Sequence, residues 1–255
     1  MSLLPGKVGP SIIAVASGKG GVGKTWLAIT LAQSFAEAGE RTLLFDGDLG
    51  LANVDIQLGL MPSHDLGHFG NGTALQDLVT RFPAGGFDVI AGRSGSGSLA
   101  AMDAARLGRL VGALAELAGQ YDRVILDLGA GVDPQVRTLA QLAQVGLVVI
   151  TDEPTALTDA YAFIKLSLAA NGRKPDLRVV ANLATTTREG ERAYDTIAKA
   201  CQQFLKFSPP LAGIVRRDGK VRDSIRAQTP LLTRYPTSDA AADVRALARH
   251  LLSGG

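Results

Sequence analysis

Seven short apolar runs, at residues 12–16, 42–46, 87–91, 123–127, 147–151, 177–183 and 211–215, read as β-strands. Several show no alternation of apolar and polar positions, which is the pattern of strands covered on both faces. Between them the hydrophobic period lengthens. Leu27, Leu31 and Phe35, with Ala28 and Ala32, make a helical stripe that stops at Gly39. A second stripe runs from about Met102 to Gly119. Strands alternating with helices predict an α/β fold: a mostly parallel, twisted sheet with helices on both faces. No stretch is rich enough in Pro, Gly or Ser to divide the chain, and residues 92–97 read as a Gly/Ser loop following a strand. We therefore expect one domain over residues 1–255, with 1–10 as a flexible N-terminal segment.

The first strand leads into Gly18, Lys19, Gly20, Gly21, Val22, Gly23, Lys24 and Thr25, and the Leu27–Phe35 helix follows at once. This is G-x-x-x-x-G-K-[ST] in the strand–loop–helix setting the pattern requires, and it defines a P-loop NTPase. Glycines let backbone N–H groups turn inward around phosphates, and the helix N-terminus adds partial positive charge. Lys24 is placed to reach the β- and γ-phosphates, and the Thr25 hydroxyl to ligate Mg²⁺. ATP or ADP with Mg²⁺ is the expected cofactor set. Asp46, Asp48 and Asp127 end two of the strands. Ligands in open α/β sheets sit beyond the carboxyl ends of strands, so these carboxylates become candidates for the metal shell, with Asp48 also facing the attacking water. Strand-end aspartates also form turns, which is the competing role for each.

Composition narrows the partners. Among 255 residues there is one cysteine, Cys201, too few for a disulfide or a Cys-rich metal site within one chain. No apolar run approaches the ~20 residues of a membrane span. Residues 1–10 lack a secretory pattern, so the expected location is cytoplasmic. The net charge of +2 does not point to nucleic acid. Residues 201–255, however, carry nine Lys/Arg against four Asp/Glu, concentrated at Arg216, Arg217, Lys220, Arg222 and Arg226. That cluster is either a solvated face or a patch for phosphates.

The loop from Lys19 to Thr25, with its additional lysine, resembles the deviant Walker A motif of the MinD/ParA ATPases. Three further segments are similar to the flagellar-number regulators of that family (the FlhG, FleN or YlxH type). They are Asp46-Gly47-Asp48-Leu49-Gly50-Leu51-Ala52-Asn53-Val54-Asp55, Asp127-Leu128-Gly129-Ala130-Gly131 and Glu153-Pro154-Thr155-Ala156-Leu157-Thr158-Asp159-Ala160-Tyr161. The resemblance runs from Ile12 to Leu252. It implies a slow, regulatory ATPase in which two subunits sandwich two ATP molecules. Lys19 would reach the partner's nucleotide, Asp48 would position the water, and Asn182 would contact adenine. A regulatory protein partner, flagellar in kind, follows from the same likeness.

The chain departs from the family in places. Leu128 replaces the usual small hydroxyl residue after the Walker B aspartate, removing a polar group from the γ-phosphate region. Trp26 stands where a small or polar residue is usual, and either packs beside the nucleotide or at the dimer face, or simply fills the core. The final helix places Val244, Leu247, Ala248, Leu251 and Leu252 on one face without an aromatic anchor, which suits core packing and gives no support to membrane binding. Two other functions share the fold: a ParA-type partition protein that binds DNA through the Arg216–Arg226 cluster, and an ATP-dependent ligase acting on a small molecule.

Overall fold

A computed structural model describes residues 11–70, 72–92, 102–170 and 175–253. Residues 1–10 and 93–97, to which the sequence assigns a flexible segment and most of a loop, lie outside them. The strands are β1 (Ser11–Ser17), β2 (Thr42–Gly47), β3 (Thr80–Phe82), β4 (Phe87–Ile90), β5 (Arg123–Ala130), β6 (Val145–Ile150), β7 (Asp176–Ala184) and β8 (Leu211–Arg216). The helices are α1 (Lys24–Glu37), α2 (Val54–Leu58), α3 (Ala104–Ala118), α4 (Pro134–Ala140), α5 (Pro154–Ala169), α6 (Thr187–Leu205), α7 (Gly219–Arg226), α8 (Leu231–Arg234) and α9 (Asp239–Leu252). One sheet of eight strands runs β3-β4-β2-β5-β1-β6-β7-β8. Every neighbouring pair is parallel except β3–β4.

The apolar runs lack alternation because the sheet is covered twice. Along β1, Ile12, Ala14 and Ala16 face a core that includes Leu110 and Leu114 of α3, Phe163 of α5 and Ile197 of α6. Ile13 and Val15 face the opposite core, formed by Leu27, Leu31 and Phe35 of α1 with Val244 and Leu247 of α9. The β1 strand is central, and its parallel neighbours β5 and β6 fix its carboxyl end beside theirs. That end is where the glycine loop begins.

Strand β3 is the one strand among the described residues that the hydrophobic pattern missed. It is three residues long with one buried side chain, so it carries almost no periodic signal. It pairs antiparallel to β4 through a tight turn in which Phe82 O accepts from Gly85 N and Gly86 N. The last helix, α9, packs as expected: Val244, Leu247, Ala248 and Leu251 are buried, and Leu252 is partly so. No helix among the described residues is long and apolar enough to cross a membrane.

Candidate nucleotide site

Strand β1 ends at Ser17, and α1 starts at Lys24. The intervening backbone bends sharply at Gly21 and Gly23, which hold φ of 79° and 88°. At these angles an L side chain is strained, so glycine is needed for the bend itself. Gly23 is also the N-cap of α1. It brings no side chain to cap the helix, and the first turn contains no acidic residue. The leading N–H groups of α1 are thus left for an anion. Gly18 meets a different constraint: a Cβ there would lie 2.2 Å from the backbone carbonyl of Asp159, so the loop is seated directly on α5.

Lys24 is buried, and its Nζ donates to Ser17 Oγ at 2.9 Å. Ser17 Oγ in turn donates to Lys19 O at 2.6 Å. Burial pulls the Lys24 ammonium below its ordinary range, while Asp127 and Asp48 pull it back up. Both carboxylates therefore lie within electrostatic reach of the loop lysine. Lys19 points elsewhere. Its Nζ donates to Glu153 Oε2 and, at 2.8 Å, to Thr155 Oγ1, both at the start of α5. It is thus an ion-paired lysine rather than a freely solvated one.

The three strand-end aspartates separate in the structure. Asp127 is fully buried, with Thr25 hydrogen-bonded to its carboxyl group and Oδ1 left without a partner. Burial, then the neighbouring Asp46, push it up to about 8. Asp46 sits opposite Asp127 in the β2–β5 register and has no exposure. Its Oδ2 accepts from the Asn53 and Val54 amides, both at 3.1 Å, and its Oδ1 from the Asp48 amide at 3.3 Å. Burial pushes it up to about 7. Asp46 thus ties down the loop that leads into α2, a structural task that sequence alone does not divide from metal binding. Asp48 lies less deep; its Oδ1 accepts from Leu51 N at 2.9 Å and Gly50 N at 3.3 Å. Gly129 leaves room for it, since a Cβ there would come 3.3 Å from Asp48 Oδ1.

On the opposite flank, Asn182 donates through Nδ2 to Val22 O at 2.8 Å. Its buried Oδ1 has no partner. The register of β7 slips between Ala181 and Ala184, and Leu183 adopts φ 58°. Such a bulge re-aims side chains, and here Asn182 is the residue turned toward the loop.

Two unpartnered buried acceptors therefore flank the cradle, Asp127 Oδ1 and Asn182 Oδ1. A buried polar atom left bare costs roughly 1–3 kcal/mol, so each marks a place for an absent donor. A water in the coordination shell of Mg²⁺ suits the first, and an exocyclic amine suits the second. The residues present fit a nucleotide with its metal.

Other residues singled out by the sequence fall outside this group. Trp26 is buried in the core cluster with α1 and lines a small cavity with Gln57, Ser224 and Leu231, where its indole Nε1 has no partner. Arg216, the first residue of the basic cluster, is committed to Asp243 at 2.9 Å and Asp239 at 3.1 Å. Arg217, Lys220, Arg222 and Arg226 remain exposed. Ser17 and Thr155 join the site without any role assigned from the sequence. The only signal for Ser17 is a polar residue closing an apolar strand immediately before the loop.

The model for the CobQ/CobB/MinD/ParA nucleotide-binding domain matches residues 13–231. The chain belongs to the MinD/ParA family. It is 35% identical to the antiactivator FleN of Pseudomonas aeruginosa, over 93% of this chain and 85% of that protein. It is 32% identical to the flagellum site-determining protein YlxH of Helicobacter pylori, over 79% of this chain and 67% of the relative. In three dimensions it is similar to the septum site-determining protein MinD of Pyrococcus horikoshii, solved with Mg-ADP, at a TM-score of 0.81 and 23% identity, covering 96% of this chain and 98% of that one. As a MinD/ParA protein the chain is a P-loop ATPase.

Proposed function

We propose that this chain is an ATP-driven dimerising switch that regulates the number or placement of flagella. The observation that carries the reading is the pair of lysines in one loop. Lys24 is buried among Ser17, Asp48 and Asp127, where it serves the subunit's own phosphates. Lys19 is half-exposed and paired with Glu153 and Thr155 instead of that group, and is suited to a nucleotide held by a second subunit. A cation delivered in this way to a transferring phosphoryl group contributes about 10³–10⁵ in rate.

The geometry supports a division of roles. The Gly18–Gly23 amides and the α1 N-terminus bind the phosphates. Lys24 leaves Ser17 for the β- and γ-phosphates. Bound Mg²⁺ supplies charge neutralisation on those phosphates. Thr25 would ligate it, and Asp127 would hold one of its waters through Oδ1. Asp48 orients the attacking water, with its carboxylate anchored by the Gly50 and Leu51 amides. Asn182 Oδ1 accepts from adenine. Leu128 is fully buried in the core beside Asp127 in β5 and offers no hydroxyl to the γ-phosphate, which favours a slow turnover.

The flagellar assignment rests on the likeness to FleN and YlxH, and the partner is a flagellar regulatory protein. The test is genetic. Deleting the gene in its host should change the number or position of flagella per cell. Wild type should restore them and Lys24→Ala should not. Unchanged flagellation in the deletion would move the role to another cargo. The four exposed basic residues of β8–α7 then make DNA the first to try, with an affinity that falls steeply with salt.

A further inference from the structure

We propose that the cavity between α4 and α5 is a binding site for a small organic anion with an apolar body, and that the two helices carry its occupancy to the nucleotide loop. The site lies apart from the cradle and uses residues with no task there.

The room comes from small side chains. Ala14 and Ala16 of β1 and Gly146 of β6 lie on the sheet side, and Ala140 and Ala143 line another. Phe163 and Leu166 of α5, with Leu177 of β7, supply apolar walls. The cavity holds about 260 Å³. An apolar cavity of about 150 Å³ is enough for a benzene ring, so this one has room for an eight-carbon chain. Gln141 and Gln144 on its wall are exposed, which gives it a route to solvent.

One charge stands on that wall. Arg137 of α4 is half-buried, and its Nε is buried with no hydrogen-bond partner. Comparable half-buried arginines are answered within the chain: Arg123 by Glu40, Arg178 by Asp176 and Arg216 by Asp243. Among the described residues Arg137 forms no such ion pair. Two other polar side chains on the wall are already engaged. Ser167 Oγ donates to Phe163 O at 2.8 Å, and Gln144 Oε1 accepts from Ile12 N at 2.5 Å. A lone guanidinium beside an apolar cavity selects one anionic group, which its fork of N–H donors fits, and an apolar remainder. A medium-chain carboxylate has that chemistry.

Both helices reach the loop at their other ends. Just ahead of α4, Gly131 N donates to Ser17 O at 2.9 Å. On α5, the Asp159 backbone lies so close to Gly18 that a Cβ there would come to 2.2 Å. A ligand that sets the spacing of α4 and α5 therefore alters how the loop fits phosphates. Linkage then requires nucleotide to change the ligand's affinity by the same factor.

The experiment is titration calorimetry on the full chain with octanoate and with octan-1-ol, which has the same chain length and no charge. Wild type should bind octanoate about 10- to 100-fold more tightly than octanol, the worth of a charged hydrogen-bonded contact. Arg137→Met should bring the two to parity, and Arg137→Lys should restore part of the preference. Ala140→Leu, which fills the cavity, should lose both ligands; the arginine variants decide the matter if it fails to fold. With octanoate saturating, the affinity of wild type for Mg-ADP should shift about fivefold or more. Arg137→Met at the same octanoate concentration should shift less. Octanoate bound no more tightly than octanol, or Arg137→Met indistinguishable from wild type, overturns the site. Octanoate bound with Mg-ADP affinity unchanged overturns the coupling and leaves the site standing.

Discussion

Lys24 and Asp127 show how individual residues in this site are held out of balance in the ligand-free chain. Burial draws the lysine's pKa down and pushes the aspartate's up to about 8. For Asp127 and Asp46 the sign is unfavourable to the empty fold. Folded carboxyls with raised pKa bind protons that the unfolded chain has released, so stability falls as pH rises from about 4, the unfolded value, to about 8. Melting of the nucleotide-free protein should therefore shift to lower temperature across that window. Asp127→Asn should flatten the profile and raise the melting temperature near pH 8; a variant that melts lower there would contradict the assigned cause. Lys24→Ala should weaken ATP binding about 10- to 100-fold, the worth of a charged hydrogen-bonded contact, as read by calorimetry. Gly23→Ala should lose nucleotide binding as well, because a Cβ there would press to 2.5 Å from Asn182 Nδ2 at a φ of 88°.

At the level of elements, the sequence is most legible where periodicity is strong. The central strands and α1 fall within three residues of their expected positions, because strands buried on both faces and a stripe ending at Gly39 leave clear marks. The loop from Gly18 to Thr25 is equally clear, since backbone geometry dictates its glycines. What stays hidden are relations between elements. Asp46 looks like Asp48 in the sequence. Only the return of the chain at Asn53 and Val54 reveals that it organises a loop. Trp26 beside the loop suggests a nucleotide contact, but its helical position turns it into the core. Lys19 and Glu153 stand 134 residues apart, and no local pattern announces their pairing. Helix α1 couples site and fold, because the same helix leaves its N-terminus open at the glycine loop and turns its Leu27–Phe35 stripe to the sheet. Phe35 has no exposure. Phe35→Ala should destabilise the protein by about 3–5 kcal/mol in urea unfolding. A loss below ~1 kcal/mol would show that α1 is not anchored as described.

For the whole molecule, the arrangement makes sense as half of a machine. In the proposed dimer one subunit would supply a phosphate cradle, a metal shell and a water-orienting Asp48, while its second loop lysine is turned onto its own α5. The central claim is that ATP brings two such halves together. Light scattering with Mg-ATP, Mg-ADP and no nucleotide tests it most directly, on wild type, Asp48→Ala and Lys19→Ala. The account predicts a dimer with ATP alone, most persistent in Asp48→Ala because hydrolysis stalls, and weakened or slow to turn over in Lys19→Ala. A mass indifferent to nucleotide in all three proteins would contradict it.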